Sequence, residues 1–316
     1  MSWDLYLKPA SGSAETFIGA LRHSLRQIPA FHSETEAQFD YLNDDTGVYF
    51  GIDLTPDGDI EEEGLAVLTI NFARPSPFGR EAAQILAHIA RNLPLLVLDH
   101  QDDGTWQPFD ERRMAESFRL SNIRATRTLK RSLESDGAHD ALGTPVPTAL
   151  LDYAWEWNAA RAARDEQRQR DGRNLWVPKY EFVEIGGRVY SFVLWFDGVA
   201  TLFPKTELVG LSRNKYQLRT AGFFGRKRPS LDFVPRASID PILAKTYQPD
   251  PMVPDALSPI IDGGVAGQDL FLARKLGQDA VTDTTYLDSD DYKRRDPKPF
   301  HRKTFDSLID AEAFTD

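Results

Sequence analysis

The stretch 64–101, GLAVLTINFARPSPFGREAAQILAHIARNLPLLVLDHQ, constrains the fold more than any other. It reads as strand, sharp turn, amphipathic helix and strand. Residues 65–72 are apolar and β-branched at strand length. Arg74-Pro75 ends that strand, because proline restricts the residue before it and cannot donate to a ladder. Ser76 then suits a helix N-cap and Pro77 the first helical position, where a missing N–H costs nothing. Ala82, Ile85, Leu86 and Ile89 recur at three- and four-residue spacing, so one helical face is apolar. Pro94 stops the helix, residues 95–98 (LLVL) read as a short buried strand, and Asp99, Asp102 and Asp103 return the chain to solvent.

The residues before this stretch supply its partners. Residues 3–7 (WDLYL) alternate as a strand does, and Ser11 or Ser13 can cap a helix over 14–27 whose buried stripe is Phe17, Leu21, Leu25 and Ile28. Residues 30–45 are polar and loop-like, and 47–54 (GVYFGIDL) give another strand. Pro56-Asp57-Gly58-Asp59 is turn chemistry, extended by Glu61-Glu62-Glu63. The order β-α-β-β-α-β predicts an α+β fold with a ferredoxin-like (split βαβ) domain over 1–113, two helices lying on one face of an antiparallel sheet.

Residues 114–316 predict a second part made of a helical segment, a β-meander and a proline-rich wrap. A helix over 114–134 carries Arg119, Arg124, Arg127, Lys130 and Arg131. A longer helix over 148–170 begins with an aromatic face (Leu150, Leu151, Ala154, Trp155, Trp157) and ends charged all round, projecting into solvent. Residues 180–185, the turn Gly186-Gly187 and residues 188–196 form a hairpin, followed by strands at 199–203 and 207–211. The strand RVYSFVLWF is apolar on both faces and belongs at the centre of its sheet. Seven prolines in 229–259 argue for an ordered wrap, 269–276 for a short helix, and 303–314 for an amphipathic terminal helix with Phe305, Leu308, Ile309 and Phe314 on one side.

No catalytic signature emerges. With no cysteine, the chain has no disulfide, thiolate metal site or cysteine nucleophile, and it fits a cytoplasmic location. Its start lacks a signal-peptide pattern, and no apolar run approaches the roughly 20 residues that span a bilayer. His23, His32, His88, His100, His139 and His301 show no ligand spacing, so neither a metal nor a cofactor is expected. Gly263-Gly264-Val265-Ala266-Gly267 lacks the strand-to-helix frame of a phosphate cradle, and Asp288, Asp290 and Asp291 lack the spacing of a calcium loop. Arg74 and Arg80 flank a helix N-terminus and form a candidate anion site; the plainer expectation is an Arg74–carboxylate pair beside a rigid cap. Basic islands at Arg226-Lys227-Arg228 and at 293–303 read as solvated loops before they read as nucleic-acid contacts.

The charge is lopsided. Residues 1–115 hold 19 acidic and 8 basic residues, a balance of −11, which equals the net charge of the whole chain. This argues against nucleic-acid binding by that third and for a basic protein partner. With the segments DDTGVYFGIDL and INFARPSPFG in an acidic, cysteine-free first third, the chain resembles the immunity proteins that bacteria pair with polymorphic or type VI secreted toxins, over residues 1–115. The resemblance implies a stoichiometric inhibitor of a secreted toxin and fixes no binding residue. The expected function is a non-catalytic protein-binding module whose rim is Asp57, Asp59, Glu61, Glu62 and Glu63. Two alternatives stay open: an enzyme with a carboxylate and histidine site between the two parts, and a nucleic-acid-associated accessory protein acting through the basic islands.

Overall fold

The computed structural model describes residues 1–55, 64–135, 142–172, 175–196, 199–212, 231–260 and 300–314. The fold is mixed α and β, and the chain divides into two compact units, Met1–Trp155 with Thr304–Asp316 and Glu156–Lys303.

The first unit opens with β1 (Ser2–Pro9) and α1 (Ala14–Arg26). Ser13 is the α1 cap, its side chain accepting from the Thr16 amide at 3.2 Å. Then come β2 (Phe31–His32), β3 (Gln38–Asn43), β4 (Val48–Leu54), β5 (Ala66–Asn71), α2 (Pro77–Ala90), β6 (Leu95–Asp99), β7 (Gln107–Pro108), α3 (Glu111–Ser135), β8 (Thr144–Val146) and α4 (Thr148–Ala159). The sheet has seven strands in the order β2-β3-β4-β5-β1-β6-β7, every neighbouring pair antiparallel. Residues 30–45 are thus not the loop their polarity predicts. QFDYLN alternates exposed and buried positions, and its short apolar set (Phe39, Tyr41) closes the sheet edge. Trp3, Leu5, Leu7, Phe39, Tyr41, Ile52, Leu68 and Ile70 face Phe17, Leu21, Leu25, Phe78, Ala82, Leu86 and Ile89 from α1 and α2 in one core. Phe118 of α3 meets Trp3 edge-on, with ring centroids 5.6 Å apart.

The second unit carries α5 (Arg161–Arg170), β9 (Glu181–Ile185), β10 (Arg188–Phe196), β11 (Leu208–Ser212), β12 (Leu231–Pro235), α6 (Arg236–Thr246), β13 (Tyr247–Pro249), β14 (Leu257–Pro259) and β15 (Phe300–Lys303). The β9–β10 hairpin turns on Gly186 and Gly187, with φ of 60° and 80°, the two left-handed positions of a type I′ turn. β10 is central, but β11 runs parallel to it, so the strands are not a simple meander; the order is β12-β11-β10-β9-β15. Residues 199–203 contribute only isolated bridges at Thr201 and Phe203. The proline-rich stretch forms β12, α6, β13 and β14, with Pro235 preceding the helix and Pro249 and Pro259 at strand ends. The 148–170 helix is two helices, and the charged α5 is not wholly solvated: Arg168 is buried and donates to buried Asp250 at 2.7 Å.

The chain then returns to the first unit. Residues 303–314 are not an amphipathic helix but two one-turn 3-10 helices around β16 (Leu308–Asp310), which pairs in parallel with β8. Leu308 and Ile309 are adjacent and both fully buried, a pattern that suits a strand enclosed on two sides and not a one-sided helix.

At Gly79, α2 approaches Phe118 of α3 closely. A Cβ there would lie 2.4 Å from Phe118 Cδ1 and 2.7 Å from its Cβ. Gly79→Ala should therefore destabilise the protein by about 2–3 kcal/mol, visible as a lower urea midpoint at unchanged slope.

Candidate partner-binding face

Side chains alternate across a strand, so the sheet residues that skip the core form a second face. Two rows cross it in register: Asp40, Gly51, Thr69 and Asp4, and beside it Gln38, Asp53, Val67, Tyr6 and Leu98. The helices that pack on this sheet contribute to the opposite, core face. Asp40 and Asp53 are exposed, and Asp4, Gly51, Val67 and Thr69 are half-buried. Thr69 Oγ1 donates to Asp4 at 2.9 Å, and Ser2 Oγ donates to its other oxygen at 3.1 Å. Among the described residues, none of Asp4, Asp40 and Asp53 forms an ion pair. The cation that shares this alternation, Lys8, is buried at the β6 side with its ammonium 4.5 Å from the Trp106 ring centre.

Several other carboxylates of this unit are already engaged. Asp99 is buried, not solvated as its place in an acidic run predicts: it accepts from Trp3 Nε1 at 3.0 Å, from Ser117 and from the Gln101 amide. Arg113 bridges Asp102 and Asp103 at 2.8 Å each. The Thr105 amide first, and then Arg113, hold the Asp103 carboxyl below the usual carboxylate range. The void beside this group is about 30 Å³, room for one water.

Glu81 lies on the buried side of α2. Its Oε1 accepts from Tyr41 Oη at 2.7 Å, Asn43 Nδ2 at 2.7 Å and Thr46 Oγ1 at 3.2 Å; its Oε2 accepts from Trp155 Nε1 at 2.6 Å. One carboxylate thereby satisfies four donors, three buried and one half-buried, from β3, the turn after it and α4. Burial, and then the charge of Glu81, drive the Tyr41 phenol far above its ordinary pKa.

The two candidate anion-binding arginines are both engaged. Arg74 Nε donates to Tyr49 Oη at 3.0 Å, and its Nη1 reaches the carbonyls of Ala73 and Asp306 at 3.1 and 3.3 Å. No carboxylate pairs with it directly among the described residues. Arg80 pairs with Asp152 at 2.8 Å and lies over the Trp155 ring, 4.6 Å from its centre. The N-terminus of α2 between them is taken by the chain's own anion, since Asp310 accepts from the Ser76 amide at 2.7 Å and from Ser76 Oγ at 3.0 Å. Ser76 is therefore held by a remote carboxylate and does not cap the helix with its own side chain. Ala73, just before it, has φ 58°, a strained value for a non-glycine residue, pinned by Asn122 of α3 through the Ala73 amide and the Arg74 carbonyl.

Asp57, Asp59, Glu61, Glu62 and Glu63 lie outside the described residues, as do His139, residues 263–267 and 269–276, Asp288, Asp290, Asp291, the Arg226–Arg228 island and residues 293–299. The described end of the second island is neutralised, Arg302 by Glu181 at 3.3 Å and Lys303 by Glu184 at 2.6 Å. The five described histidines are all exposed, and among the described residues no group of three or more histidine or acidic side chains is placed to hold a metal. No described helix is long and apolar enough to cross a membrane. Asp4, Asp40 and Asp53 escaped the sequence reading, although each is the polar residue between apolar ones in WDLYL, FDYLN and GIDL. No protein-family model, curated protein or solved structure matches this chain.

Removing the acceptor of these four donors, three of them buried, is costly. Glu81→Ala should lose about 3–5 kcal/mol, and Glu81→Gln, which keeps one oxygen, clearly less, as urea denaturation would measure. Burial pushes the Asp310 carboxyl above the usual range, against the two bonds from Ser76. Its folded-state pKa is thus raised over the unfolded value, so its stabilisation is full in acid and is lost as pH rises through the raised value. Wild type should lose stability relative to Asp310→Asn as pH rises above the ordinary carboxylate range of about 4, read from denaturation midpoints at each pH.

Proposed function

We propose that this protein is a non-catalytic binding module that neutralises a basic protein partner, in the manner of an immunity protein against a cationic secreted toxin. The observation that supports this reading is how the charge is divided. The first unit holds 28 acidic and 13 basic residues, a balance of −15, whereas the second holds 20 and 24, a balance of +4. Part of that excess lies on a sheet face that the core helices leave uncovered, at Asp4, Asp40 and Asp53. The acidic rim Asp57, Asp59, Glu61, Glu62 and Glu63 belongs to the connection between β4 and β5, the two strands that carry Asp53, Gly51 and Thr69. A field of one sign speeds encounter with a cationic surface and discourages nucleic acid. The same reading takes β1, β4, β5 and β6 with α1 and α2 as a ferredoxin-like split βαβ unit extended at both edges, which the order β4-β5-β1-β6 supports. It assigns the protein to the cytoplasm, a location that its lack of cysteine fits.

The test is affinity capture with the intact chain in its native host, followed by binding kinetics with the purified partner. A basic protein binding one to one is expected. Its association should slow by about tenfold or more at physiological salt, or when the five rim carboxylates are reversed to lysine together. Equal association by wild type and charge-reversed protein at every salt concentration would falsify the role of the rim.

A further inference from the structure

Gly51 sits in the interior of β4, where glycine weakens a strand and commonly marks a place that another group approaches closely. Nothing in the fold requires it. Its φ is not in the left-handed region, and the one atom a Cβ would meet within 4 Å is Asp40 Oδ1, at 3.8 Å. A side chain here would be tolerated by the backbone and would cover the middle of the open face. Its absence leaves a notch. Asp40 stands directly across on β3, Thr69 directly across on β5 with Asp4 beyond it, and Asp53 two residues along β4. Strand spacing places the Asp40 and Thr69 backbones about 5 Å to either side of Gly51, and Asp53 about 7 Å along the strand. Asp40 and Asp53 are exposed, and neither forms an ion pair among the described residues. The nearby Arg74 is turned away onto Tyr49 and two carbonyls.

We infer that this notch receives an arginine side chain of the basic partner, its guanidinium lying over Gly51 and donating to Asp40 and Asp53. The inference rests on the binding-module reading and deepens it by naming the contact. A planar guanidinium has donors on several edges, so it can serve two carboxylates at once, whereas an ammonium acts as a point charge. Its flat faces need a shallow site without a Cβ, which Gly51 provides.

Hexa-arginine and hexa-lysine peptides serve as probes for the intact protein, with affinity read by fluorescence anisotropy. Wild type should bind hexa-arginine several-fold more tightly than hexa-lysine. Gly51→Thr should weaken hexa-arginine binding by about tenfold at an unchanged or higher melting temperature, because a β-branched residue suits the strand. Amide resonances of Asp40, Gly51, Asp53 and Thr69 in wild type should shift on titration, a measurement that stands even if the variant folds poorly. The notch is overturned if Gly51→Thr binds as wild type does, if those resonances stay still while others move, or if neither peptide binds. A partner that binds with the salt dependence expected above, yet ignores Gly51→Thr, removes the notch and leaves the module reading standing. A partner indifferent to salt and to the rim reversal removes the module reading whatever the peptides do.

Discussion

The first unit depends on one buried carboxylate. Glu81 gathers Tyr41 and Asn43 from β3, Thr46 from the turn beyond it and Trp155 from α4 around two oxygens. Tyr41, Thr46 and Trp155 are buried and would otherwise lack this acceptor, so helix, sheet edge and following helix are held in a single relative arrangement. A comparable apolar contact would hold these elements together but would tolerate sliding; four directional bonds do not. Strand β3, which with the edge strand β2 extends the sheet past β4, is fixed to the helical layer by this group, and with it the position of Asp40 beside Gly51.

The arrangement separates two kinds of carboxylate. Glu81, Asp99 and Asp310 are buried and serve neighbouring donors. Asp102 and Asp103 share Arg113. Asp4, Asp40 and Asp53, on the sheet face opposite the core, form no ion pair among the described residues. Net charge alone says little about a binding surface, because paired charges cancel locally. The unpaired remainder after folding gives the face its sign.

Local periodicity made much of the scaffold legible in the sequence. The stripes of α1 and α2, Ser13 as a cap, Pro77 at the first helical position and the Gly186-Gly187 hairpin all follow from spacings of four residues or fewer. The failures share a cause as well. Asp310 reaches Ser76 from 234 residues away, and Arg168 reaches Asp250 from 82. Neither pairing leaves a local trace, so α5 read as solvated and Ser76 as self-capping. The segment 303–314 shows the same limit: spacing alone fits a helix, and the strand arises because β8 offers a ladder. The anionic face fell between these cases. Its alternation was visible, but its polarity at 30–45 resembled a loop.

The return of the chain at residue 304 has a consequence for synthesis. Leu308, Ile309 and the carboxylate that holds the first turn of α2 are translated after the whole of the second unit. A nascent chain emerging from the ribosome therefore carries the seven-stranded sheet with the α2 N-terminus still lacking its counter-charge and with β8 unpaired. A segment made after the second unit completes the first, so the acidic unit is finished only when translation of its inserted neighbour is over.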